Sequence, residues 1–166
     1  DIERAIQGYR SLYNAERHFM PTSQRQRDIL GQDTLYGAAL TYAVFGRKVL
    51  SDEQVLAHVR TSQKVATPYG LRVISHADGS LLPGHSGEYV YGGSWFLCDA
   101  ANYLLAGAHG LPEAEVDRLL ADRVRVEIAH VPAFNESLST VTGKPHGHIL
   151  YSWNSGYSWL DRKSTV

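Results

Sequence analysis

Two stretches of the chain gather the residue types that recognise polar rings. Gly87 to Trp95 reads GEYVYGGSW and Asn135 to Trp159 reads NESLSTVTGKPHGHILYSWNSGYSW; together they hold all three tryptophans. A flat aromatic face is desolvated cheaply, while nearby carboxylates and backbone groups bind hydroxyls, so this mixture suits a sugar ring stacked on one face and hydrogen-bonded at its edges. Tyr91 and Trp95 are the candidate stacking residues, with Gly92 and Gly93 between them letting a ligand approach the backbone. Trp153 is the third aromatic candidate. Trp95 and Trp153 suit core packing equally well, because each opens an apolar helical tract. Gln32 and Asp33, at the start of another apolar tract, offer further groups for hydroxyls. The carboxylates of the two loops are Glu88 and Glu136.

These loops need helices to hold them. Ile2, Ile6, Tyr9 and Tyr13 recur at helical spacing and predict an amphipathic helix from the chain start to about Arg17. A second helix is expected from Asp33, whose carboxylate suits a cap, through LYGAALTYAVF to Gly46, which suits a left-handed stop. It is apolar on nearly every side. A third begins after Ser51, with Asp52 and Glu53 in its first turn and Val55, Leu56 and Val59 on one face. The alternation repeats: Ser94 to Ala108 is apolar almost all round, Gly110 ends it, and Pro112 introduces a half-exposed helix whose stripe is Val116, Leu119, Leu120, Val124 and Ile128. A last helix is expected near Ser152, carrying Trp153, Tyr157, Trp159 and Leu160.

The links after Phe45 and Ala108 are short, whereas those after Ala66 and Val131 are long and contain both aromatic loops. Long irregular links in a compact domain are usually functional. Alternating short and long links between antiparallel helices put every long one at the same end of the bundle. The apolar helices start near residues 33, 94 and 152, spacings of 61 and 58 (94 − 33 and 152 − 94), so the unit that repeats is one inner and one outer helix.

Composition narrows the partners. The chain has 166 residues, 43% hydrophobic and 20% charged, enough for one domain with a real core. Sixteen Lys and Arg against seventeen Asp and Glu leave a formal charge of −1, too little to attract nucleic acid or an anionic membrane. No apolar run reaches the roughly 20 residues that span a bilayer, and no cationic leader opens the chain. Its single cysteine, Cys98, excludes an internal disulfide and sits in an apolar run, as a buried side chain would. A cytoplasmic location is the expectation. The chain begins at Asp1 within a helical pattern and without a methionine, so a portion of a longer protein is expected.

Inner apolar helices, outer amphipathic helices and long loops at one end describe an all-α fold of helical hairpins forming part of an (α/α)6 toroid. The second half resembles the C-terminal part of the six-hairpin glycoside hydrolases that group with trehalase, processing α-glucosidase I and mannosylglycerate hydrolase. Three segments carry the resemblance in the family's order. Pro68, Tyr69, Gly70, Leu71 and Arg72 match a segment that precedes an aromatic glycine loop, here Tyr91, Gly92, Gly93, Ser94 and Trp95, with serine replacing the usual proline. Phe134, Asn135, Glu136, Thr142, Gly143 and Pro145 match the loop of the catalytic base, and Tyr151, Ser152 and Trp153 the tract after it. Residues 1–166 then amount to a single incomplete catalytic-domain portion of about two and a half hairpins.

The resemblance implies inverting hydrolysis of an α-glycosidic bond without a cofactor. Such a reaction needs an acid and a base about 6.5 to 9.5 Å apart, with water between the base and the sugar. By resemblance Glu136 is the base. The family's acid is an aspartate upstream of the first matched segment and has no counterpart before residue 30. Among Asp28, Asp33, Asp78 and Glu88, the last is the best substitute, since Asp33 suits a cap and Asp78, before Gly79, a turn. Partners implied are a carbohydrate substrate and either the remainder of the barrel or further copies of the chain, because inner helices with no neighbours would expose an apolar patch. Two other functions compete: a non-catalytic helical carbohydrate-binding or scaffold protein, favoured by Ser94 and the missing acid, and a toroidal polysaccharide lyase using Tyr89, Tyr91 and His85. His146 and His148 have the spacing of a ligand pair but no evident third ligand, so no metal is expected.

Overall fold

A computed structural model describes residues 1–88, 90–129 and 135–147. The helix expected near Ser152, with Trp153, lies outside the described residues, as do Tyr89, Phe134 and His148.

The described chain is helix-rich with only small sheets. Helix α1 (Ile2–Arg10) is capped by the Asp1 carboxylate, which accepts from the Arg4 N–H at 3.4 Å. It stops well before Arg17. Asn14 competes for the backbone there: its N–H bonds Phe19 C=O, its C=O takes the His18 N–H, and its side chain takes the Arg17 N–H at 3.2 Å. Short polar side chains that offer such local bonds favour turns over helix, and His18 completes this one at φ 60°.

Helix α2 (Tyr36–Phe45) follows a 3-10 turn over Asp33–Leu35 and ends on Gly46 at φ 64°, the left-handed stop that glycine adopts without strain. No side chain caps either segment, so Asp33 does not serve as the cap its position predicts. Helix α3 (Asp52–Lys64) opens on a reciprocal capping box in which Ser51 Oγ accepts the Gln54 N–H and the Gln54 side chain accepts the Ser51 N–H, both at 3.1 Å. Helices α4 (Phe96–Ala108) and α5 (Glu113–Glu127) follow.

Helix α4 is the centre of the fold, with ten buried residues, and packs against α2, α3 and α5. Its apolar circumference is thereby used on several sides. Helix α2 is equally apolar yet buries only Ala38, leaving Leu40, Val44 and Phe45 in solvent, the last 76% exposed. Beside it, Ile2, Ile6, Tyr9 and Val49 help line an open cavity of about 620 Å³ between α1 and α2. The α5 stripe also departs from its pattern. Val116, Leu119 and Leu120 are buried as the spacing requires, but Ile128 is 45% exposed and the buried face continues through Arg123 and Glu127.

The two short links, residues 46–51 and 109–112, lie together: His109 at the end of α4 bonds Asp52 at the start of α3 at 2.8 Å. The long links gather at the opposite end, where α2 and α4 begin. Strand β1 (Ile29–Gly31) pairs antiparallel with β2 (Ile74–His76), and β3 (Ser137–Leu138) with β4 (Pro145–His146). Between these ribbons, Gln32 N–H donates to Val73 C=O (2.8 Å), Val73 N–H to Gly93 C=O (3.0 Å), and Ser94 and Leu138 exchange both backbone bonds (2.9 and 2.8 Å). One backbone ladder thus crosses the mouths of both apolar helices. Among the described residues, no helix is long and apolar enough to cross a membrane.

Candidate functional site

The ladder brings together segments that are far apart in sequence. Thr140 holds the first aromatic loop against the 135–147 hairpin: its N–H donates to Gly87 C=O at 2.7 Å and its hydroxyl reaches the carbonyls of Gly87 and Gly92 at 3.1 and 2.8 Å. The 68–72 segment joins them. Tyr69 lies against Gly143, where any side chain would collide with its ring, and Gly70 sits so close to Ser94, Asp99 and Arg123 that only a residue without Cβ fits.

On this platform the carboxylates take different settings. Glu88 Oε2 lies 3.2 Å from His146 Nε2, both side chains partly exposed. Glu136 is half-buried, its carboxylate against the backbone of Gly147. In the hairpin register Ser137 stands opposite His146. Glu136 sits in the bend one residue before that strand, with its carboxylate beside Gly147, the residue after His146. Tyr91 is 48% exposed, its ring meeting His85 edge-on with centroids 5.8 Å apart.

Several candidates are taken up by the fold itself. Gly92 and Gly93 are buried; the space a side chain at Gly92 would need is filled by the Ser86 carbonyl, and Gly93 C=O carries a rung of the ladder. Trp95 is half-buried at the start of α4, with a buried indole N–H. Gln32 is 1% exposed and accepts from the Asn102 amide at 2.9 Å, so its side chain faces the core. Asp33 remains exposed, although desolvation by its surroundings raises its carboxyl above the ordinary range. Asp78 is a turn residue, as its sequence suggests: its carboxylate accepts from the Ser80 N–H and hydroxyl at 2.9 and 2.6 Å and is held below its usual pKa by them. Asp28 pairs with Arg17 at 3.3 Å.

Beneath the platform lies a polar cluster that pattern reading misses. Asp99, on α4, accepts from Ser94 Oγ (3.2 Å) and Arg123 Nε (2.6 Å) at the same oxygen. Arg123 Nη1 donates to Glu127 Oε2 at 2.8 Å, and Glu127 Oε1 accepts the Asn135 N–H at 2.7 Å. Burial pushes the Asp99 carboxyl up against the opposing pull of Arg123. Burial alone would lower Arg123, but Asp99 and Glu127 outweigh it and hold the guanidinium charged. Two sequence signals exist: an aspartate inside a helix otherwise apolar all round, and an arginine and glutamate four apart on one helix.

No group of three or more His, Cys, Asp or Glu side chains able to hold a metal occurs among the described residues. No protein-family model matches the chain, and no curated protein matches it.

Proposed function

We propose that this chain is the sugar-handling end of an α/α toroid, a C-terminal portion of a glycoside hydrolase acting on an α-linked sugar, with Glu136 as the general base. One observation carries the reading. The matched segments within the described residues, 68–72, 91–95 and 135–145, are separate in sequence yet touch one another at the end where both apolar helices begin. The half-buried Glu136 and the exposed Tyr91 belong to two of these touching segments and supply the residue types the reading needs, an acid–base group and a stacking ring. The uncovered α2 face supports the accompanying proposal that the remainder of a barrel, or a second copy of the chain, packs there.

A second reading has its own support. Glu88, the substitute for the missing acid, is engaged by His146 at 3.2 Å, which favours a carbohydrate-binding module. The test uses the full chain with maltose, trehalose and a methyl α-mannoside, following both binding and released reducing sugar. The hydrolase reading expects release, reduced about 100-fold or more in Glu136→Gln with little change in affinity. Binding without release, unchanged by that substitution, decides for the module. Absence of both removes the sugar reading.

A further inference from the structure

The hairpin that carries Glu136 is poorly specified by its own sequence. Its strands are two residues each, and residues 137, 139, 140, 142 and 143 are Ser, Ser, Thr, Thr and Gly, which fit either face of a ribbon. A slip of one residue would replace Glu136 by Ser137 on the working face. Its turn is closed from within, by the Val141 and Thr142 N–H groups on Ser139 Oγ and the Gly143 N–H on Ser139 C=O, and the strand that follows Glu136 is held by bonds to the rest of the chain.

Besides the Thr140 bonds to Gly87 and Gly92, two attachments flank Glu136, one on each side. Before it, the Asn135 N–H is bound by Glu127 Oε1 at 2.7 Å; after it, Leu138 exchanges both backbone bonds with Ser94. The two paths then converge. Glu127 is held by Arg123, Arg123 by Asp99, and Asp99 Oδ2 also accepts the Ser94 hydroxyl. Ser94, Asp99, Arg123, Glu127 and Asn135 are all at most 4% exposed. Taking two carboxylates and a guanidinium out of water is costly, and apolar residues of similar volume would often serve stability as well. A stability role alone does not account for such a cluster, whereas fixing one register of a slippery hairpin does.

We propose that Asp99 is a positioning residue: through Arg123–Glu127–Asn135 on one side and Ser94–Leu138 on the other, its carboxylate fixes the hairpin register and so the place of Glu136. The catalytic consequence rests on the base role given to Glu136 above; the structural one does not. Asp99 touches no substrate in this scheme. Gly70 belongs to the same device, since its missing side chain leaves the room in which Ser94, Asp99 and Arg123 meet.

The experiment is hydrogen–deuterium exchange on the full chain, comparing wild type, Asp99→Asn, Glu127→Gln and Ser51→Ala. The last removes the α3 cap, far from the cluster, and is the control for general destabilisation. In Asp99→Asn the amides of Leu138, Ser139 and Thr140 should exchange about 10- to 100-fold faster, while those in the middle of α3 change less than threefold. Glu127→Gln keeps an acceptor for Asn135 and should give the same selective pattern at smaller amplitude, which preserves the test if Asp99→Asn does not fold. Acceleration spread evenly over α3, α4 and the hairpin, as in Ser51→Ala, would overturn the proposal, as would no acceleration in either cluster variant. If wild type releases reducing sugar from maltose, trehalose or methyl α-mannoside, Glu127→Gln should lower kcat about tenfold or more at nearly constant KM. Loss confined to KM would also overturn it. If wild type releases none, this chain alone has no activity for Glu136 to carry, and the exchange pattern by itself decides whether Asp99 sets the register.

Discussion

His58 gives the sharpest link between this fold and pH. It lies on α3 with no exposed surface, and its Nδ1 accepts the Met20 N–H at 3.0 Å, so the native imidazole must be neutral and protonated at Nε2. Burial pushes its pKa from 6.5 down to about 3. In the unfolded chain the same ring charges near its ordinary value. Between these two values the unfolded state binds the extra proton, so the contribution of His58 to stability is complete above pH 6.5 and is lost as pH falls through that window. From pH 7 to pH 5 the loss comes to about 2 kcal/mol, and a native pKa one unit higher would hardly change it, because at pH 5 the native ring would still be neutral. The perturbation is His58→Asn, whose side-chain oxygen can take the Met20 N–H but cannot titrate. Urea denaturation of both proteins at pH 7, 6 and 5 supplies the measurement. The variant is expected to be less stable at pH 7 through altered packing, and the gap should narrow by about 2 kcal/mol at pH 5 as only wild type pays for keeping its ring neutral. All other titrating groups are common to both proteins and cancel in the difference. Parallel curves would show that the ring charges in the folded protein and would refute the reasoning.

Three further outcomes follow from particular contacts. Gly70, at φ 114°, faces Asp99 Oδ2 and Arg123 Nε at 2.8 and 3.0 Å from where a Cβ would stand, whereas Gly46, at φ 64°, has open space; Gly46→Ala should cost about 1 kcal/mol in thermal or urea unfolding, and Gly70→Ala at least about 3 kcal/mol or the fold itself. Cys98 is buried, and burial with the nearby Asp33 and Asp99 raises its thiol well above the ordinary range, so a thiol reagent should label the native protein at least about 100-fold more slowly than the urea-unfolded chain. Replacing both exposed residues Val44 and Phe45 by glutamate should leave circular dichroism unchanged while reducing dye binding to apolar surface and any concentration-dependent association; unchanged dye binding would place the sticky surface elsewhere.

Much of the framework is legible without coordinates. Ser51 before Asp52 and Glu53, Gly46 after an apolar run and Pro112 before an amphipathic one mark boundaries that the structure reproduces, because caps and stops are local chemistry. The first helix is overextended for the opposite reason: periodicity at Tyr13 suggests continuation, but the turn bonds of Asn14 win. The site is legible in part. Glu136, Glu88 and Tyr91 reach the platform from loops whose composition already singled them out, while Gln32 and Gly92 lie in the same segments yet serve the fold, a distinction that requires knowing the neighbours Asn102 and Ser86.

By itself, then, the sequence determines the order of the described α-helices, the ends that Gly46, Ser51 and Pro112 mark, and the gathering of the long links at one end, since each follows from interactions a few residues apart and from the antiparallel return of the chain. Only the tertiary structure decides which polar residues are inside. Helical spacing puts Arg123 and Glu127 in line with Val116, Leu119 and Leu120 on α5, and these charged residues are buried there because Asp99, 24 residues before Arg123, and Asn135, eight beyond Glu127, supply the charge and the donor that burial demands. Pairings of that kind depend on which helices become neighbours, a property of the packed chain and not of any local run of residues.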